Sequence, residues 1–304
     1  MSLLFPSPAD SLNQLASFAV KVDGTQIETK FKLFRIQTFK EANKLSRATI
    51  SIIGGNPKEN SFDESEESIF ATGSEVEISL GYDQSNEIVF KGIISKHVLK
   101  IKKDFQSVST NNLLVIECVD KAVKLSNTYT TEIYEDKLDS DIITALISNA
   151  AGVSKTVSFT SVMNDFLPKY NCNDWDFILQ RAEANGMIVL NSDNAITVTE
   201  PKPLLTIPEL TVTYGNAMID FHAEVDASTQ YSTFDLSSYD SYNEEAVSST
   251  SQEPSLLAQG DLDGVTISKD VSPTKNELST SSILTSSEAK NIADAFLMRS
   301  RLSR

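Results

Sequence analysis

Hydrophobic and polar residues alternate along the first third of the chain with the period of a β-strand that buries one face. Strands are predicted wherever this alternation or a short apolar run occurs, at residues 17–22, 33–39, 48–52, 75–80, 88–94 and 113–119. Turn residues separate them, such as Asp23 with Gly24, Gly54 with Gly55, and residues 81–83. Short strands at intervals of about 8–12 residues predict a closed barrel or a sandwich.

The middle third changes to the period of an α-helix. One helix is predicted to begin with Asp139 as a capping carboxylate and to end at Gly152, with an apolar stripe of Ile142, Ile143, Leu146, Ile147 and Ala150. A second helix is predicted to begin near Asn173 and to end at Gly186, with a buried face of Trp175, Ile178, Leu179 and Ala182. A hairpin of residues 187–190 and 195–198 follows.

A second strand-rich region begins after Pro201 and Pro203. Strands are predicted at residues 210–214, 217–225 and 229–235, whereas the Ser- and Thr-rich residues 248–287 predict loops and short edge strands. Thr285 and Glu288 have the spacing of a capping box, which predicts a last helix with an apolar face of Ala289, Ile292, Ala293 and Phe296. Cations stand near its C-terminal end, where the helix dipole favours them: Arg299, Arg301 and Arg304.

These patterns predict a mainly β fold with α insertions, of the α+β class. We expect a first β-barrel-like domain at residues 1–122, an inserted α/β domain with two helices and a hairpin at 123–203, and a second β-barrel-like domain with a C-terminal helix at 204–304.

The formal net charge of the chain is −16 at pH 7. Such a chain is repelled by nucleic acid and by anionic membrane surfaces, so binding to either is not expected. The sequence has no run of about 18 apolar residues, and its start lacks the basic region of a signal peptide. We therefore expect assembly in the cytoplasm without stable membrane insertion.

The sequence contains few residues of the types that commonly catalyse reactions or bind metal ions. The two cysteines, Cys118 and Cys172, form neither a disulfide framework nor a zinc site, and Cys118 lies in an apolar run typical of a buried strand. The two histidines, His97 and His222, stand in strand-like segments without a second ligand at metal-binding spacing. Neither a nucleophile elbow nor a phosphate-binding loop occurs.

Acidic residues cluster at three places, and each cluster has a structural explanation. Asp174 and Asp176 are two apart on a helix and do not share a face, so they favour the helix start rather than an acid–base pair. The loop with Glu59, Asp63, Glu64, Glu66 and Glu67 fits a solvated loop better than a cation site. Residues 261–264 fit a hairpin turn better than a calcium loop. We expect no catalytic residue, cofactor or metal ion, and no enzyme.

The order of elements resembles that of VgrG-type spike proteins and phage baseplate hubs. The resemblance is carried by residues 171–189, in which an acidic and aromatic helix start leads to an Arg-containing helix, an Asn-Gly stop and a strand. The positions that match this motif are Asn173, Asp174, Trp175, Asp176, Phe177, Arg181, Asn185 and Gly186. Residues 90–94 resemble the family's Phe-x-Gly strand, and residues 288–301 resemble its late helix.

The resemblance implies a phage-tail-hub-like fold and a structural role. It implies a homotrimer in which six barrel-like units form a ring between a hexameric tube and a trimeric spike, with tube, spike and baseplate proteins as partners. The acid excess would then line the lumen so that anionic cargo does not adhere. The apparatus could carry the chain out of the cell after assembly in the cytoplasm. The repetitive spike of the family and the strands expected after Arg304 are not in this sequence.

Two other functions fit the composition less well. A carbohydrate- or envelope-binding β module usually presents several exposed aromatic side chains, whereas this chain has a single tryptophan, predicted to lie on a helix. A hydrolase would need a catalytic triad or a metal site. Size in solution separates the first two hypotheses, because a hub predicts a trimer and a binding module predicts a monomer that binds glycans.

Overall fold

The structure is a computed structural model. It describes residues 15–55, 61–66, 68–101, 112–201, 220–222, 224, 226–241, 243–255, 264–271 and 275–303. Strands dominate these residues, with helices inserted between them, and the predicted mainly β class with α insertions is confirmed.

A seven-stranded antiparallel sheet forms the first unit. Its strands are β1 (Ala16–Val22), β2 (Thr25–Gln26), β3 (Lys32–Phe39), β4 (Arg47–Ile53), β5 (Glu75–Tyr82), β6 (Ser85–Lys100) and β7 (Leu113–Val119). Their spatial order is β2-β1-β5-β6-β7-β4-β3. A helical turn, α1 (Asp63–Glu66), and a 3-10 turn (Ser68–Phe70) lie between β4 and β5.

The alternation predicted for these strands is the pattern that buries one face of the sheet. Val20, Ile50 and Ile78 are each no more than 1% exposed and belong to one hydrophobic core. Among the described strands no ladder joins β2 to β3, so hydrogen bonds do not close the predicted barrel and both strands have a free edge. The turn predicted at residues 81–83 lies one position later, at Asp83 and Gln84, which both have positive φ.

The second unit combines two small sheets with two helices. Its elements are β8 (Tyr129–Leu138), α2 (Asp139–Ser148), β9 (Ser154–Val157), β10 (Met163–Asn173), α3 (Asp174–Ala184), β11 (Ile188–Ser192) and β12 (Ala195–Thr199). β8 and β10 form an antiparallel ribbon, and the β11–β12 hairpin pairs in parallel with β9. The two helices and the hairpin are confirmed, whereas the ribbon and β9 were not predicted.

The start of α2 differs from the prediction. Leu138 is the capping residue and makes no side-chain capping bond, whereas Asp139 is the first helical residue. The carboxylate of Asp139 turns instead to Arg181 on α3, because a buried carboxylate gains more from a guanidinium than from a backbone amide. The helix ends at Asn149, ahead of the predicted Gly152.

The third unit is a three-stranded sheet covered by a long helix. It contains β13 (Phe234–Asp240), β14 (Glu245–Thr250), α4 (Gly264–Val271), β15 (Asn276–Thr280) and α5 (Ser286–Leu302). β13 pairs antiparallel with β14 and parallel with β15. Leu236, Ala289 and Ala293 form its core. The predicted capping box of α5 is confirmed, with Thr285 N donating to Glu288 Oε2 at 2.7 Å and Glu288 N donating to Thr285 Oγ1 at 3.2 Å.

Several predictions for this region are corrected or lie outside the described residues. The predicted strand 229–235 is wrong for most of its length, since β13 begins only at Phe234. Gly264 opens α4 rather than closing a hairpin turn. His222 is exposed and not in a strand. Some predictions concern residues outside the described ones: the strand 210–214, most of the strand 217–225, and Glu59, Glu67, Asp261, Leu262, Asp263 and Arg304.

Candidate functional site

The eight motif residues lie on one continuous segment formed by the end of β10, α3 and the turn after it. Asn173 caps α3, since its Oδ1 accepts from Asp176 N at 2.7 Å and its Nδ2 donates to Asp176 Oδ2 at 2.7 Å. This reciprocal pair satisfies a free amide of the first turn and places a carboxylate where the helix dipole favours it. Asn173 and Asp176 therefore fix where the helix begins.

Asp174 ties the start of α3 to the ribbon. The ammonium group of Lys169 on β10 is fully buried and contacts the Asp174 carboxylate, and it also donates to Thr130 Oγ1 at 2.7 Å. Asn149 Nδ2 donates to the other carboxylate oxygen of Asp174 at 3.2 Å. A buried ammonium is stable only with such partners, so the pair resists separation.

The two aromatic residues of the motif belong to the hydrophobic core. Trp175 is 5% exposed and Phe177 is 4% exposed. The ring of Phe177 stacks on Tyr134 of β8 with centroids 6.0 Å apart. Burial, and then the hydrogen bond to Glu132, raises the pKa of the Tyr134 hydroxyl. Neither motif ring is available as a platform for a ligand.

Arg181 is at the centre of a buried polar network. Its Nε donates to Asp139 Oδ1 at 2.6 Å and its Nη2 donates to Asp139 Oδ2 at 2.8 Å. Nη2 also donates to Asn164 Oδ1 at 3.1 Å, and Asn164 Nδ2 returns a bond to Asp139 Oδ1 at 3.1 Å. The Asp139 side chain is 4% exposed. A bidentate ion pair thus joins α3 to α2, and the hydrogen bonds of Asn164 add β10 to the network.

The network continues to the third unit through Asn185. Asn185 Nδ2 donates to Asp139 Oδ2 at 2.7 Å, and Asn185 Oδ1 accepts from Asn291 Nδ2 of α5 at 2.8 Å. Gly186 has φ +65, and a Cβ placed on it would lie 3.5 Å from Ala295 of α5. The positive φ is what favours glycine at the end of α3, since a Cβ at that distance from α5 would be in ordinary contact. The predicted motif is the place where α5 meets the inserted unit.

A second set of contacts joins the inserted unit to the first sheet. Asp120 is fully buried, and its carboxylate accepts from Ala122 N at 2.9 Å and from Asn194 N at 2.7 Å. Asn191 Oδ1 accepts from Ser46 N at 2.9 Å, and Asn43 Oδ1 accepts from Val189 N at 2.8 Å. The β11–β12 hairpin is therefore bonded to the loop before β4 and to the end of β7.

The hydrogen bonds of this network limit the chemistry that its side chains can perform. Asp139 accepts from Arg181, Asn164 and Asn185, so its oxygens are already used. The sequence motif included Arg181 and Asn185 but did not reveal their partners. Asp139 was predicted only as a helix cap, and Asn164, Asn291 and Lys169 were not singled out. No local pattern reveals them, because Asp139 and Arg181 are 42 residues apart in sequence. The arrangement positions elements and offers no free group for proton transfer.

The other candidate features are the two cysteines, clusters of metal ligands and membrane-spanning helices. Burial raises the pKa of the Cys118 thiol to about 12, and burial, then the charge of Asp176, raises the pKa of Cys172. Within the described parts of the chain, no three His, Cys, Asp or Glu side chains lie together as metal ligands. A search of the described helices finds none long and apolar enough to cross a membrane.

Comparisons with known proteins give a family and a fold. The family described as the Alg8 N-terminal domain matches residues 12–304. The chain superposes on the 43 kDa tail protein of prophage MuSo2 from Shewanella oneidensis with a TM-score of 0.65 and 11% identity, over 94% of this chain and 79% of that one. No curated protein sequence matches the chain.

Two further tail proteins have the same fold. The tail protein from Neisseria meningitidis MC58 superposes with a TM-score of 0.56 and 13% identity, over 91% of this chain and 74% of that one. Prophage tail protein gp18 from Listeria monocytogenes EGD-e superposes with a TM-score of 0.52 and 10% identity, over 91% of this chain and 76% of that one. The predicted phage-tail-like fold is confirmed, whereas the specific likeness to VgrG proteins stays a prediction.

Proposed function

Since the chain belongs to the Alg8 N-terminal domain family, and since it has the fold of prophage tail proteins, we propose that it is a structural hub of a contractile injection apparatus. In this role three copies form a ring between a hexameric tube and a trimeric spike. The likeness over 94% of the chain to a tail protein is the observation that carries the proposal.

The buried networks support a mechanical role. Buried ion pairs join α3 to α2 and to β10, and breaking one partner of such a pair is costly. A hydrogen bond between Asn185 and Asn291 adds α5. A hub must transmit force between tube and spike without its units separating. The bonds of Asn185 to Asn291 and of Asp120 to Asn194 connect the three units in series, which suits that requirement.

The three domains and their partners belong to the same proposal. We infer that residues 1–122 and 204–304 of three copies supply the six units of the ring and that residues 123–203 are inserted between the two units of each chain. The described strands of the two β units differ, because β13 and β15 are parallel whereas the first sheet is antiparallel throughout. A sixfold face therefore requires that these two different units present equivalent surfaces to the tube.

Electron microscopy of the purified chain tests the proposal. We expect ring-shaped particles with threefold symmetry. Particles of a single chain at every concentration, together with binding to a glycan array, would favour the carbohydrate-binding alternative. The burial of Trp175, the one tryptophan, already counts against that alternative, because a sugar platform must be exposed.

A further inference from the structure

The loop that follows β4 holds a carboxylate against two glycines. Gly55 N donates a hydrogen bond to Glu64 Oε2 at 2.9 Å, and Gly54 N donates to the backbone oxygen of Asn112 at 3.3 Å. A Cβ on Gly54 would lie 2.5 Å from Glu64 Oε2, so the carboxylate occupies the space that a side chain would need. The other oxygen of Glu64 makes no hydrogen bond or ion pair with a described residue. The loop after β4, α1 and the start of β7 therefore meet around this carboxylate.

The side chain of Asn112 lies beside the same glycines. Asn112 is 7% exposed, and a Cβ on Gly55 would lie 3.1 Å from its Nδ2. Its side-chain oxygen is buried and accepts no hydrogen bond from the described part of the chain. A buried amide oxygen that accepts nothing is costly, because it has lost its hydrogen bonds to water. This oxygen is therefore expected to contact a group that does not belong to the chain.

A third oxygen in this region is also without a partner. Ser61 Oγ is buried and makes no hydrogen bond with another described residue. Ser61 directly precedes Phe62, whose ring packs against the core of the first sheet and would lie 2.8 Å from a Cβ on Gly55. A carboxylate, an amide oxygen and a hydroxyl are thus available beside an aromatic ring that limits the access of water.

Oxygen donors of these kinds are the ligands of hard cations. A water molecule can donate to at most two of the three oxygens, whereas one cation can accept lone pairs from all of them. Calcium fits better than magnesium, because it accepts mixed oxygen ligands in a flexible geometry and magnesium demands a near-ideal octahedron. Asp63 and Glu66 are exposed beside Glu64, and their charges make the local potential attractive to a cation.

We propose that Glu64, Asn112 and Ser61 bind one calcium ion, with water molecules completing its coordination. The ion joins the acidic turn α1 to the start of β7, and so it fixes one end of the first sheet. This inference goes beyond the proposed hub and does not depend on it. Because only one of the three ligands is charged, the dissociation constant should be on the order of 10⁻⁴–10⁻³ M. The spacing of the acidic residues alone favoured a solvated loop, since Asn112 lies on a distant part of the chain.

Calcium chloride, added to the chain after treatment with a chelator, tests the site. Isothermal titration calorimetry should show one ion bound per chain. Calcium at about 10 mM should raise the midpoint of thermal unfolding by about 2–4 °C, because a ligand of the folded state stabilises it. Sodium chloride at the same ionic strength should not reproduce this shift. Glu64→Gln should remove both the binding heat and the shift, since it removes the only charged ligand.

Two further variants separate coordination from a general effect of charge. Asp63→Asn removes the same charge from the exposed neighbour of Glu64 and should leave most of the calcium affinity in place. Asn112→Asp replaces the amide by a second carboxylate and should bind calcium about tenfold more tightly or better. A merely structural role of Asn112 would give no such gain. Circular dichroism of each variant confirms that it is folded.

Three results would overturn the calcium site. The first is a folded, unchanged chain that shows neither binding heat nor a thermal shift at up to about 10 mM calcium. The second is a loss of affinity in Asp63→Asn as large as that in Glu64→Gln, which would reduce the effect to diffuse attraction. The third is a folded Asn112→Asp chain that binds calcium no more tightly than the unchanged chain. The proposed hub stands or falls separately, because none of these measurements reports the number of copies in the particle.

Discussion

At the scale of single residues, the Arg181–Asp139 pair holds the inserted unit together. Asp139 is almost fully buried, and its two oxygens together accept four hydrogen bonds. A buried carboxylate that loses its guanidinium keeps its desolvation cost without the compensating charge. This buried ion pair therefore affects the stability of the folded chain more than an exposed ion pair does.

Arg181→Ala should lower the free energy of unfolding by about 3 kcal/mol or more, because it leaves the Asp139 carboxylate buried without a cation. Arg299→Ala is the matched control, since Arg299 is 70% exposed and its partner Glu183 is 50% exposed. That change should cost at most about 1 kcal/mol. Chemical denaturation of both variants measures the difference, and equal costs would contradict the account.

Glu77 on β5 makes the stability of the folded chain depend on pH in the acid range. Hydrogen bonds from Lys91 and then from Lys21 lower the pKa of its carboxyl from 4.5. The folded chain therefore binds this proton less readily than the unfolded chain, and the resulting stability is present above pH 4.5 and is lost as the pH falls through the depressed value. Glu77→Gln should cost stability at neutral pH, and that cost should shrink in acid. A cost that is constant with pH would show that the carboxylate charge contributes nothing.

The roles of residues whose partners are close in sequence could be predicted. The roles of residues whose partners are distant in sequence could not. Asn173 and Gly186 occupy helix ends, where their side chains or φ angles have a local purpose that spacing reveals. Asp139 also stands at a helix start, and the same reasoning assigned it a cap. Its real partner is on another helix, and nothing within one turn of the chain indicates it.

At the scale of elements, α3 organises the inserted unit because both of its ends are fixed. Asn173 caps its start, and Asn185 and Gly186 connect its end to α5. Elements with a clear buried face, such as α2, α3 and the strands of the first sheet, could be predicted from periodicity. The β8–β10 ribbon could not, since most residues of β8 are exposed and no alternation marks its faces.

The strand predicted at residues 229–235 failed for a different reason. Thr229, Tyr231 and Phe234 favour strands, but Gln230 is fully buried and its amide donates to the Ser300 carbonyl of α5. Tertiary hydrogen bonds to the helix thus keep this segment out of the sheet. A local pattern cannot show a contact with a helix that lies 70 residues later.

Asn173→Ala should lower the free energy of unfolding by about 1–2 kcal/mol, because it removes the acceptor for Asp176 N and leaves a buried helix start uncapped. Asn173→Ser keeps an acceptor and should recover part of this loss. Thermal unfolding of the two variants provides the comparison. If the serine variant is no more stable than the alanine variant, capping is not the role of Asn173.

At the scale of the whole molecule, two free edges and an acid excess remain after the units are joined. β3 and β8 are edge strands among the described residues, and natural proteins usually cover or guard such edges. The internal networks and the uncovered edges are consistent with the proposed closed oligomer.

The mass of the particle in solution, measured by native mass spectrometry at low salt, tests the proposed hub most directly. Three copies of the 33.4 kDa chain should form the main species. A mass of one chain over the whole accessible range of concentration would contradict the hub, however closely the fold matches that of tail proteins.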